Sequence, residues 1–204
     1  MGASTIVHAQ TVKTRSAHFS VVHPRTVDAR DTGYVLDLLE HSRADLLERV
    51  SNAGIDINLA NLDLIFNAST GDFVARTGMP SWAAAATDKN KIELQPLPLL
   101  KQRRILESTL RHELAHAVID TLGNSPRWLA EGMAIYLAGE GKLLDPYRSD
   151  NSPSAETIDH QLNAPQSPAE MRTAYANAYF LVRELIRAHG ENALWKRLAQ
   201  RSSI

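Results

Sequence analysis

Apolar positions along this chain recur with two different periods, and the change from one to the other falls near its middle. The run HFSVVH over 18–23 is β-branched and aromatic and is closed by Pro24, which predicts a strand. Over 31–50, Val35, Leu38, Leu39, Leu46, Leu47 and Val50 recur at helical spacing with charges between them, and Gly54 ends the pattern. Leu62, Leu64 and Phe66 alternate with other residues as a third segment, again a strand. A turn-rich stretch holding Gly71, Gly78 and Pro80 follows. Two further strands are expected over 81–86 and 91–95, joined by the polar turn 87–90, although the alanines of 81–86 also allow a helix by propensity. The first 17 residues are polar and irregular, apart from a short strand expected around 5–12.

Pro96 and Pro98 mark the change of period. A long helical pattern then runs over 99–122 and is stopped by Gly123 and Asn124. Ser125 and Pro126 read as an N-cap and a proline at the first helical position, opening a helix over 127–137 that stops at Gly139. Residues 139–166 read as a long polar loop of the kind that could cover a cleft as a lid. Ser167, Pro168 and Glu170 form a capping-box pattern that opens a helix to about Ala188, with Gly190 beyond it. A short amphipathic segment over 191–201 closes the chain. The expected class is therefore α+β: an irregular segment over 1–17, then one domain over 18–204, sheet-rich through 98 and helical from 99.

Composition narrows the function. Hydrophobic residues make up 44% of the 204 and charged residues 22%, the balance of a globular protein. A net charge of -1 and an even spread of Lys and Arg provide no electrostatic footprint for nucleic acid or an anionic membrane. The chain has no cysteine, which excludes disulfides, thiolate metal sites and cysteine nucleophiles while leaving the compartment open. No apolar run approaches the roughly 18 residues needed to cross a bilayer. The first residues lack the basic and apolar regions of a signal peptide.

The chemistry is concentrated in His112-Glu113-Leu114-Ala115-His116. Residues four apart project from one helix face, so His112 and His116 can bring two imidazole nitrogens to one ion with Glu113 beside them. Neutral imidazole suits zinc, and a catalytic zinc site needs three protein ligands and one open position. A carboxylate beside the metal-bound water can take its proton and return it to a leaving amine, the work Glu113 is placed to do. Two solvent-facing histidines on an ordinary helix would give the same spacing. The surrounding apolar positions, Leu110, Leu114, Ala117 and Val118, argue for polar groups that need a partner near a packed face.

Glu131 is the candidate third ligand, the alternative being an ordinary surface glutamate. It lies 15 residues after His116 across a short turn, and two helices joined in this way can face one another as a hairpin. Its neighbours Trp128, Leu129, Ala130, Gly132, Met133, Ala134 and Ile135 carry no charge, and a lone carboxylate in such a helix is costly unless paired or bound to metal. Asp120, one turn after His116, could orient a ligand histidine or simply end the helix at the surface. Arg111 reads as a solvated helix-face charge, and the remaining histidines as structural or surface residues.

His112–His116 followed by Trp128-Leu129-Ala130-Glu131-Gly132-Met133-Ala134 resembles the gluzincin zinc metallopeptidases, most closely the small bacterial peptidase MA-like group with its H-E-x-x-H, short spacer and W-L-x-E-G-x-A. The run HELAHAVID is also similar to the active-site helix of thermolysin-type enzymes, but the 14 residues between His116 and Glu131 are fewer than in the thermolysin-like and aminopeptidase-N-like branches. The resemblance implies a zincin-like fold: a small mixed sheet lobe packed on a mainly helical C-terminal lobe, with the active-site cleft between and an edge strand (here 81–86) that pairs with peptide. It implies one zinc per chain held by His112, His116 and Glu131, and hydrolysis of a peptide or protein substrate by a metal-bound water with Glu113 as general base. It also implies an oxyanion donor from a downstream helix. Tyr175 and Tyr179 share one helix face there, and the family pattern favours Tyr175. An extracytoplasmic bacterial location would fit if an export signal once preceded the chain. A zinc- or peptide-binding module that keeps the site without cleaving is the alternative, and a metal-free protein with a chance motif is the third.

Overall fold

The computed structural model describes residues 10–149 and 151–200, so the strand expected around 5–12 and the last residue of the closing segment lie largely or wholly outside the described residues. The fold is mixed α+β and divides into two compact units. One comprises the chain through Glu40 together with Ala60–Leu106, and the other His41–Leu59 together with Glu107 onward.

The first unit holds a five-stranded sheet built from β1 (Thr11–Arg15), β2 (Phe19–Pro24), β3 (Leu62–Phe66), β4 (Ala85–Asp88) and β5 (Lys91–Leu94), in the order β1-β2-β3-β5-β4. β2, β3 and β5 run parallel, while β1 and β4 pair antiparallel at the two edges. The inner strands are apolar where they must be. Phe19, Val21, Leu62, Leu64, Phe66, Ile92 and Leu94 are all buried, while Asp63 stands out to solvent, as alternation requires. β1 lies inside the stretch expected to be irregular, where its register against β2 aligns Lys13 with Val22.

Three expectations between residues 70 and 122 are corrected. The turn-rich stretch forms a helix, α2 (Thr70–Thr77), because Ser69 accepts the Asp72 N–H as its N-cap, Phe73 is fully buried and Gly78 closes it at φ 69°. The strand expected over 81–86 pairs only from Ala85, because the carbonyls of Ser81 and Ala83 accept from the side chain of Gln95 at 3.1 and 3.0 Å instead of joining the ladder. The helix expected over 99–122 is two helices, α3 (Leu97–Gln102) and α4 (Leu106–Asp120), parted at Arg104, whose φ of 57° no helix tolerates.

A long helix, α1 (Ala29–Asn52), follows β2, and its residues from His41 on are counted with the second unit. There it is joined by α4, α5 (Arg127–Ala138), α6 (Gly141–Leu144), a 3-10 turn (Asp145–Tyr147), α7 (Ala155–Asn163), α8 (Pro168–His189) and α9 (Glu191–Gln200). The polar loop expected over 139–166 is thus largely helical: Ser154 caps α7 by accepting the Thr157 N–H, and Ile158 and Leu162 bury their side chains. At the start of α5, Ser125 is not the cap. Asp159 of α7 accepts the Trp128 N–H at 2.7 Å in its place.

α8 is the spine of this unit, touching α5, α6, α7 and α9. Its approach to α5 is set by Gly132, where a Cβ would stand 2.5 Å from the Ala178 carbonyl oxygen and 2.6 Å from Val182 Cγ2. Arg111, expected to be solvated, is instead engaged: it donates to the Leu137 carbonyl at the end of α5 and pairs with Asp45. Among the described residues no helix is long and apolar enough to cross a membrane.

Candidate metal centre

The spacing of four in α4 brings His112 and His116 onto one face, while Leu110, Leu114, Ala115, Ala117 and Val118 bury the rest of the helix. The two Nε2 atoms lie 3.1 Å apart. Glu131, presented from α5 and only 8% exposed, sets its Oε2 3.2 Å from His116 Nε2 and 3.7 Å from His112 Nε2. The three residues are therefore drawn together as the spacing anticipates, each offering one ligand atom, all within 4.8 Å of one another.

The donor set fits a divalent cation. Two imidazole lone pairs cannot face one another at 3.1 Å, so a proton or a metal ion must lie between them. His112 shows that demand: burial opposes its charged form, yet the carboxylates of Glu131 and Glu140 outweigh burial and raise its pKa well above the imidazole range. Burial likewise opposes ionisation of Glu131, but the hydrogen bonds to His112 and His116 prevail and hold its carboxyl well below the usual range. The result is a buried anionic oxygen and two ring nitrogens aimed at one point. Nitrogen and single-carboxylate donors in that number are the set a catalytic zinc uses.

Glu140 was not anticipated. It lies just past the Gly139 that ends α5, and its Oε2 sits 2.9 Å from His112 Nδ1. In the neutral ring that a metal ion requires, Nδ1–H donated to that carboxylate leaves Nε2 as the lone pair that faces Glu131 and His116. This is the role considered for Asp120, which is exposed at the end of α4. Glu140 carries no motif spacing, standing 28 residues from its partner, and only the chain's turn after Gly139 could have hinted at it.

The two tyrosines of α8 part company. Tyr179 packs its ring over Gly141, where a Cβ would fall 2.0 Å from Cζ, and stacks edge-on with Phe180 at 5.2 Å. Tyr175 lies beside this cluster: together with His112, Glu140, Ile135, Leu143, Leu144 and Arg172 it lines a cavity of about 280 Å³. Burial, reinforced by the nearby charge of Glu131 and eased by Arg127, pushes its hydroxyl up to about 12, so it stays a proton donor at neutral pH. The charge of Glu113 is felt at both His112 and Tyr175. No protein-family model matches this chain, and no curated protein matches it.

Proposed function

We propose that this chain is a zinc metallopeptidase of the gluzincin type, nearest the small bacterial peptidase MA-like group and zincin-like in fold. The observation that carries the reading is the convergence of His112, His116 and Glu131 with Glu140 behind His112. His112, His116 and Glu131 would hold one zinc ion, which when bound supplies a Lewis acid for the substrate carbonyl and acidifies water toward neutral pH.

The chain's own residues supply the remaining steps. The carboxylate of Glu113 accepts a proton from the attacking water and passes it to the nitrogen of the leaving amine. Glu140 holds the ring of His112 in one tautomer and raises the basicity of the nitrogen that would face the ion. The hydroxyl of Tyr175, protonated at neutral pH, donates a hydrogen bond to the carbonyl oxygen as negative charge develops there. The cavity beside it, walled by Ile135, Leu143 and Leu144, offers apolar room for a substrate side chain.

Glu113→Gln tests the reading. The variant is expected to keep its zinc while losing roughly 10²–10⁴-fold in cleavage of an unfolded protein mixture. Should wild type and variant hold zinc alike and both cleave nothing, the chain is a zinc- or peptide-binding module and the peptidase reading fails.

A further inference from the structure

We infer that Arg127 is a positioning residue that holds Glu131 as a one-oxygen ligand, an inference that rests on the zinc reading above. Glu131 divides its two oxygens between different neighbours. Oε2 faces the histidine nitrogens at 3.2 and 3.7 Å, whereas Oε1 accepts from Arg127 Nε at 3.4 Å. The guanidinium is itself anchored, because Nη1 donates to the Leu162 carbonyl of α7 at 2.8 Å. A planar fork fixed at both edges keeps Oε1 turned away from the ion's place, which a point charge on a flexible stem would not do.

Helix stability does not account for the residue. Arg127 is the first residue of α5, where a cation opposes the helix dipole, and an arginine four residues before its glutamate is the weaker order for such a pair. What the placement achieves is at the carboxylate. A carboxylate free to turn can offer both oxygens and fill the position that a catalytic site keeps open.

Cobalt(II) provides the test, because its visible absorption is intense when four-coordinate and weak at higher coordination number. Wild-type protein loaded with cobalt(II) alone is expected to show the intense bands, and Arg127→Ala to lose them while still binding one ion. Arg127→Lys, which keeps the charge without the fork, is expected to weaken them too, and it serves if the alanine variant does not fold. Unchanged bands in a folded variant would overturn the positioning role and leave the zinc reading standing. A wild type that takes up no cobalt would overturn both.

Discussion

Gly132 is where the approach of α5 to α8 can be tested by adding three atoms' worth of bulk. In Gly132→Ala the new Cβ would stand 2.5 Å from the Ala178 carbonyl oxygen and 2.6 Å from Val182 Cγ2. The valine methyl can turn aside, but the carbonyl belongs to the backbone of α8 and cannot. Overpacking of this kind costs about 1–3 kcal/mol, with a fixed backbone neighbour favouring the upper end. Alanine's better helix propensity returns about 1 kcal/mol. The net is a loss of about 2 kcal/mol, which for a chain of this size lowers Tm by roughly 4–8 °C. Gly33→Ala is the matched control: it too lies within a helix, but its Cβ would meet nothing within 4 Å, so only the propensity gain remains. Thermal unfolding followed by circular dichroism is expected to move the two variants in opposite directions. A Gly132→Ala protein melting at or above the wild type would refute the close packing of α5 on α8.

Other consequences follow from individual side chains. Glu140→Ala is expected to weaken zinc binding by about 10–100-fold in competition with a chelator, while Asp120→Ala leaves it unchanged; equal effects would remove Glu140 from its place behind His112. Burial raises the pKa of Asp45, but Arg111 and Arg49 outweigh it and hold the carboxyl below its usual range. Its contribution to stability is therefore present above the unfolded value, near pH 4, and is lost as pH falls through the lower folded value. Asp45→Asn is expected to flatten the acid limb of the stability curve below about pH 4, and superimposable limbs would contradict the Arg111–Asp45 pairing.

The residues that spacing can describe were those the sequence made visible. His112, His116 and Glu131 lie on helices whose apolar periodicity is strong, and their meeting follows from one short turn. The capping residues Ser167 and Gly190 act over a few positions and could be read in place. What escaped depends on distant partners or on segments too short for a period to show. Nothing in Arg103-Arg104 marks a helix break, since neither residue is a breaker, yet Arg104 closes α3 at φ 57° with its N–H on the Lys101 carbonyl and that of Ile105 on the Leu100 carbonyl. α7 is nine residues long and buries only Ile158 and Leu162, too few positions for a period to emerge from a polar stretch. Glu140 and Arg127 became visible only when the chain's turns set them beside His112 and Glu131. Arg111 shows the same limit: its partners, Asp45 and Leu137, are 66 and 26 residues away.

Elemental analysis of purified protein tests most directly whether the three side chains from α4 and α5 hold one metal ion. About one zinc per chain is expected in the wild type, lost in His116→Ala and in Glu131→Ala while both variants remain folded. A folded wild type that binds no divalent metal, or variants that retain it at full stoichiometry, would contradict it.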